Sequence, residues 1–216
     1  MLPTFFILEL AFLGTYAISG LVTYLLDTKT NIERIDKNKP KTDLIQTYKK
    51  IYPNVLFNLL ITNTLLFYSL SNYINILNKD FTLPSFILDS LLIYGLIDVV
   101  FYSLHRLLHH RWFYRYHKKH HELLDPIGIG AVYSHPIDFI VGLTLPVILP
   151  CILVSAHLYT VLFILTVSVS NSIIVSHSGY NIFAIKKYNP HHIHHTKFKY
   201  NYGTMLFMDK LFGTDK

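Results

Sequence analysis

Imidazole is the side chain with the clearest chemical pattern in this sequence. Thirteen histidines occur among 216 residues, none before His105 and all of them between His105 and His195. Eight fall into spaced sets: His105 and His109 in HRLLH, His117, His120 and His121 in HKKHH, and His191, His194 and His195 in HHIHH. On an α-helix, positions i, i+3 and i+4 share a face, so HxxHH can aim three imidazoles, and HxxxH two, at one place. Neutral imidazole is the commonest metal ligand among side chains. A single histidine at a membrane edge is ordinarily a hydrogen-bonded residue, but three boxes at ligand spacing read as metal binding. One metal takes about four to six ligands, so eight box imidazoles favour two metals. Soft thiolates are not available, since Cys151 is the one cysteine. Imidazole suits zinc, copper, iron and nickel alike, and spacing leaves the metal open.

Bringing these rings together constrains the chain. His105 and His121 on one straight helix would stand ~24 Å apart at ~1.5 Å per residue. The chain must therefore turn back between about His110 and His117, and the third box must fold onto the first two. The remaining residues point to a membrane support. Hydrophobic residues make up 51% and charged ones 15%, against about 25% charged in an average soluble domain. With a mean hydropathy of +0.35, this excludes a disordered chain, a coiled coil and a soluble all-α core. Charge is missing in blocks, the longest being 139–185. A crossing needs about 20 apolar residues, which gives five, over 5–26, 54–77, 86–104, 138–156 and 158–176. Pro146 and Pro150 are expected to kink the fourth. The first lacks a basic leader and a small-residue cleavage site, and reads as a retained helix.

Of the 19 basic residues, seven lie in 27–50, five in 105–122 and six in 186–216, with Lys79 elsewhere. Five crossings put all three stretches, and every histidine box, on one side. The positive-inside rule makes that side the cytoplasm and leaves Lys79, Asp80 and His157 opposite. The net charge of +6 thus reports topology and anionic head groups, not nucleic acid. No linker or repeat divides 1–216, read as a single domain with anchor helices over 1–94 and a histidine-box region over 95–216. The expected fold class is all-α, with four to five membrane helices capped by a cytosolic, histidine-rich, helical di-metal domain.

The boxes, with Asp98 seven residues before His105, resemble the fatty acid hydroxylase/sterol desaturase superfamily of membrane di-iron oxygenases. So do their flanks HRWFYRYHKKHH, SHPID (134–138), HSGY (177–180) and HHTKFKYNYGTMLFMDKLFGT, over about residues 95–216. The resemblance implies that His105, His109, His117, His120, His121, His191, His194 and His195 are metal ligands, with His177 a ninth. No catalytic residue beyond the ligands is implied. Asp98 would stand behind the ligands and accept an imidazole N–H, fixing its tautomer. His135 is left between such a supporting place, a tenth ligand and a turn residue before Pro136. His110 and His192, one residue off the boxes, should face elsewhere, and His157 lies on the far side. The aromatic residues read mainly as lipid-interface and packing groups, with Tyr102, Trp112, Tyr114 and Tyr116 candidates to line a lipid channel.

The same resemblance implies two iron ions, O2 as co-substrate, and electrons from NAD(P)H through cytochrome b5 and its reductase in trans. The sequence shows no haem-binding HPGG-like motif, and Gly128-Ile129-Gly130 is no dinucleotide fingerprint. The implied reaction is hydroxylation or desaturation of a C–H bond in a membrane lipid, in the endoplasmic reticulum with the boxes facing the cytosol. The substrate would be a sterol, of C-4 methyl oxidase or C-5 desaturase type, or a fatty-acyl lipid. HPID and HHTKFKYNYG are similar to the C-5 desaturases, HSGY and the FGTDK ending to the C-4 methyl oxidases. The alternative is a membrane metal transporter or metal-binding protein without redox catalysis. It predicts ligands near the bilayer midplane, whereas the boxes cluster past helix ends on one side.

Overall fold

A computed structural model describes residues 3–35, 41–74, 80–181 and 189–216. Among them the chain is helical and no strand forms. Helix α1 (Thr4–Lys29) is followed by α2 (Lys41–Phe57), which passes through a π-helical turn (Asn58–Thr62) into α3 (Asn63–Ile74). Helix α4 (Leu83–Leu108) leads to the short α5 (Tyr114–His117), then α6 (Pro136–Asp138), a second π turn (Phe139–Thr144) and α7 (Leu145–Leu153). Helix α8 (Leu158–Ser170) ends in a third π turn (Asn171–Ser176), and α9 (Pro190–Lys197) and α10 (Phe207–Phe212) complete the order.

Five stretches are long and apolar enough to cross a membrane: Thr4–Lys29, Leu44–Leu70, Leu83–Leu108, Pro136–Leu153 and Leu158–Ser176. These are the five expected crossings, except that the second starts at Leu44, upstream of Pro53. The earlier start carries Tyr48 to α1, where its hydroxyl donates to Asp27 at 2.8 Å.

Helix α1 shows how the bundle is built. Leu8, Phe12, Tyr16, Thr23 and Asp27, near every fourth residue, are buried, while Leu10, Ile18, Leu21, Val22 and Leu25 are exposed. A helix apolar on both faces buries one in protein and presents the other to lipid. Inside, Phe12 meets Phe67 and Phe139 edge-on, with centroids 6.3 and 6.2 Å apart. Gly128 lets its loop come so close to α1 that a Cβ would overlap the Thr23 side chain. The intramembrane carboxylate Glu9 is paired, as the cost of burying it demands: it accepts from Asn63 at 2.8 Å and Thr64 at 2.9 Å.

The spans alternate in direction. One end gathers Asp27, Tyr48 and the box histidines. At the other, Phe81 packs on His157 and Tyr159, with centroids 5.3 and 5.5 Å apart. His157 there caps α8 and is far from the boxes, as expected. Lys79, with Lys37, Lys39, Lys186 and Lys187, lies outside the described residues.

Candidate metal centre

Local structure delivers each ring. His105 lies in the last turn of α4 and His109 at its C-cap. The chain then reverses over 110–113, where the His110 N–H donates to Leu107 and the Phe113 N–H to His110, both at 2.9 Å. This is the turn-back that the spacing required. His117 closes α5, and His120 and His121 sit on a single 3₁₀ turn. The third box rides on α9, started by Pro190 and capped by Asn189, whose Oδ1 accepts from the His191 N–H at 3.0 Å. The π turn after α8 aims His177, whose backbone N–H and Nδ1–H both donate to the Ser172 carbonyl, at 3.0 and 2.8 Å.

Nine rings gather into two sets. His105, His109, His117, His121 and His194 form one, and His120, His177, His191 and His195 the other; within each, one nitrogen per ring lies within 4.8 Å of the rest. The boxes are thus divided rather than pooled. In HKKHH the i and i+4 rings join the first set and the i+3 ring the second; in HHIHH the assignment is reversed. This corrects the expectation that one HxxHH box aims three imidazoles at one place. The i, i+4 pair stays together, and the i+3 ring is turned far enough around the axis to face the neighbouring set.

The chemistry of the donors fits metal ions. Nδ1 of His105, His120, His177 and His194 faces the carbonyl oxygens of Tyr202, Tyr133, Ser172 and Tyr200 at 2.8, 3.3, 2.8 and 2.8 Å. A carbonyl only accepts, so Nδ1 carries the proton and Nε2 is left with a bare lone pair. Yet the Nε2 atoms face one another: His109 to His194 at 3.0 Å, His121 to His109 at 3.1 Å and to His117 at 2.9 Å, His177 to His191 at 3.0 Å and to His120 at 3.2 Å. Converging lone pairs repel unless a cation stands between them. Two nitrogens held cis on one metal by bonds of about 2.1 Å are about 3.0 Å apart, the spacing seen here. Burial, followed by the neighbouring rings, pushes His117, His121, His191, His194 and His195 well below the usual histidine range. Burial brings His109 and His120 to about 4 and His177 to about 3. The rings are therefore neutral at pH 7, as ligands must be.

The residues behind the rings differ in part from those expected. Asp98 meets no imidazole; it accepts from the N–H groups of Met205 and Met208 at 2.7 and 3.0 Å and from the Thr204 hydroxyl at 3.2 Å. Asp209 accepts from the N–H groups of Tyr202 and Gly203 at 2.8 and 2.7 Å. A Cβ at 203 would press on both carboxylates. Together the two aspartates fix the loop whose Tyr200 and Tyr202 carbonyls hold His194 and His105. The loop bends through left-handed Phe198, Asn201 and Leu206 (φ 62°, 57° and 64°), a conformation uncommon outside glycine. The carboxylate that does accept from an imidazole is Asp138, 2.9 Å from His117 Nδ1. It ends the HPID segment, where no ligand spacing marks it. His135 joins neither set: its Nδ1 caps α6 by accepting from the Ile137 N–H at 3.2 Å. His110 and His192 also lie outside both sets, with His192 Nδ1 4.0 Å from Asp125.

A second support comes from the segment after α1. Buried Arg34 donates to Asp27 at 2.7 Å, Asp125 at 3.1 Å and the carbonyls of Pro126 and Ser178 at 2.8 and 3.1 Å. It thereby ties α1 to the turn that follows His177.

A cavity of about 320 Å³ runs from His105, His117, His120, His177 and His191 into the bundle, between Ile97 and Phe101 of α4 and Leu143 and Val147 opposite. Of the aromatic residues expected near a lipid channel, Tyr102, Trp112, Tyr114 and Tyr116 are not on its wall; Tyr102 stacks on Phe212 and Trp112 is exposed.

Comparison with known proteins adds an independent line. A family model described as fatty acid hydroxylase matches residues 90–214. The fatty acid hydroxylase ahd1 of Mycosarcoma maydis is 34% identical over 190 residues, 85% of this chain and 49% of that protein. Fatty acid hydroxylase domain-containing protein 2 of Homo sapiens is 42% identical over 139 residues, 62% of this chain and 41% of its own length. Methylsterol monooxygenase 1 of Rattus norvegicus is 37% identical over 131 residues, with 55% and 43% covered. The chain spans less than half the length of these curated relatives. No solved structure matches it.

Proposed function

The chain belongs to the fatty acid hydroxylase family, and from that premise we propose that it oxidises a C–H bond of a membrane lipid with O2 at two iron ions. What supports this most is the convergence of nine imidazole nitrogens in two sets, with His105 and His117 of one and His120, His177 and His191 of the other on the wall of a mainly apolar cavity. His105, His109, His117, His121 and His194 would hold one ion, and His120, His177, His191 and His195 the other. Iron bound there supplies the redox chemistry with O2 that attack on an unactivated C–H bond requires. Its electrons would come from NAD(P)H through cytochrome b5 and its reductase.

The protein's own groups prepare the site. The Nδ1–H bonds to carbonyls, and to Asp138 from His117, fix the tautomer that turns Nε2 toward the metal. Burial keeps the rings unprotonated and water out. The cavity walls between α4 and α7 hold an apolar chain or ring against the histidines. The substrate would be a sterol or a fatty-acyl lipid and the outcome hydroxylation or desaturation. The names of the relatives favour hydroxylation, and the HSGY and FGTDK segments favour a methylsterol. The basic stretches around the boxes support a cytosolic site on an endoplasmic-reticulum membrane, and residues 1–94 and 95–216 would act as one domain. A metal transporter is disfavoured because both histidine sets lie at one end of the spans instead of the midplane.

The test is to load the detergent-purified protein with iron and supply sterol and acyl lipids, reduced cytochrome b5 and isotopically heavy O2. A lipid product that depends on O2 supports the proposal, with label incorporated for hydroxylation. Metal-loaded protein that yields no O2-dependent product from either lipid class contradicts it.

A further inference from the structure

One wall of the cavity is polar where a membrane span would be expected to be apolar. The run 139–185 carries no Asp, Glu, Lys or Arg, yet Ser168, Asn171, Ser172 and Ser176 of α8 and its π turn all line the cavity. Their spacing of three and four residues puts them on one helix face. Ser170 points the other way, its Oγ 3.3 Å from Ser19 on α1, so helix–helix contact accounts for that hydroxyl and not for the stripe. Asn171 is exposed, and neither its amide nor the hydroxyls of Ser168 and Ser172 have a hydrogen-bond partner among the described residues. An amide facing hydrocarbon unpartnered is unfavourable, and a ligand that brings the partner relieves it. Among the described residues the lining includes no lysine or arginine, so a carboxylate or phosphate entering here would be desolvated without compensation from them. Asn171 also adjoins Ser172, whose carbonyl fixes the His177 ring at 2.8 Å. The polar stripe therefore begins beside the second histidine set.

We infer that the cavity selects lipids carrying an uncharged hydrogen-bonding group, a hydroxyl or an amide, and that Asn171, with Ser168 and Ser172, binds that group. This narrows the substrate class of the lipid oxidation proposed above and rests on that reading. It assigns to α8 the discrimination between a polar lipid and a plain hydrocarbon, while the metal ligands stay common to both.

The experiment measures binding and turnover separately in metal-loaded protein in micelles. Radiolabelled cholestanol and cholestane form one pair of probes, palmitamide and hexadecane the other. Wild type should bind at least one polar member about tenfold more tightly than its hydrocarbon, the size expected for one buried hydrogen bond. Preference for cholestanol assigns a hydroxyl, and preference for palmitamide an amide. Asn171→Leu should bring the ratio to within about twofold, with metal content unchanged and hydrocarbon binding retained. Leucine in place of an unpartnered amide favours insertion; the Ser168→Ala/Ser172→Ala double variant, which keeps the Ser172 carbonyl, should narrow the ratio in the same direction. Equal binding of both members of each pair by wild type, or an unchanged ratio in all variants, overturns the inference. Discrimination in binding with no oxidised product would defeat the oxygenase reading and leave the recognition standing; product without discrimination would do the reverse.

Discussion

Among the described residues, Asp138 is the carboxylate that accepts from a ring of either histidine set, and replacement by alanine removes it. Asp138 Oδ1 lies 2.9 Å from His117 Nδ1, and both side chains are 4% exposed. Without it, a buried Nδ1–H has no acceptor, and the ring can rotate or place its proton on the nitrogen meant for the metal. Loss of such partners typically weakens metal binding by about 10–100-fold, or about 1.4–2.8 kcal/mol. The loss should fall on the His117 set alone, because His120 and His177 are held by the carbonyls of Tyr133 and Ser172. Asparagine is the graded control: its amide oxygen can still accept the Nδ1–H, without the charge that strengthens the bond, and about tenfold or less should be lost. Anaerobic iron titration of metal-free protein, resolved into two classes of site, reads both numbers. Equal weakening of both classes, or none in the alanine variant, would refute the division of the histidines and the role given to Asp138.

Three further outcomes follow from the same geometry. Free histidine titrates near pH 6.5, whereas His109 and His120 are held at about 4 and His177 at about 3. Below about pH 6.5 the unfolded chain takes up protons that the folded one excludes, so metal-free protein should lose stability down to about pH 3; denaturant unfolding at pH 7 and pH 5 checks this, and equal stability would contradict it. Arg34→Ala leaves Asp27 and Asp125 without their buried cation and should destabilise the fold by about 3–5 kcal/mol; lysine, which cannot span four acceptors, should recover little of this in the same unfolding measurement. His135→Ala should leave metal content unchanged, whereas His195→Ala should lower it by about one ion per chain, since only His195 belongs to a set; metal analysis of both variants decides.

The histidines and spans were legible because each is a periodic signal: histidine pairs recur at four residues, and crossings are long blocks without charge. Which set each box ring joins was not, because it depends on a chain reversal over 110–113 and on the rotation of an i+3 ring. The groups that hold the rings are mostly backbone carbonyls, which every residue possesses and no motif marks. Asp98 announced itself as an intramembrane carboxylate in need of a partner, but that partner proved to be the N–H groups of a distant loop. Arg34 is silent in sequence, since two of the acceptors that explain it lie 91 and 144 positions away. The π turn that aims His177 is likewise hidden, because a run such as NSIIVS is compatible with plain α-helix.

Metal stoichiometry of the purified chain tests the central claim most directly. Loaded anaerobically with iron and freed of excess, the protein should retain about two ions per chain, one for each histidine set, with spectroscopy reporting imidazole-rich ligation. Retention of about one ion or none by folded protein, or ions that persist when both His121 and His195 are replaced by alanine, would contradict it.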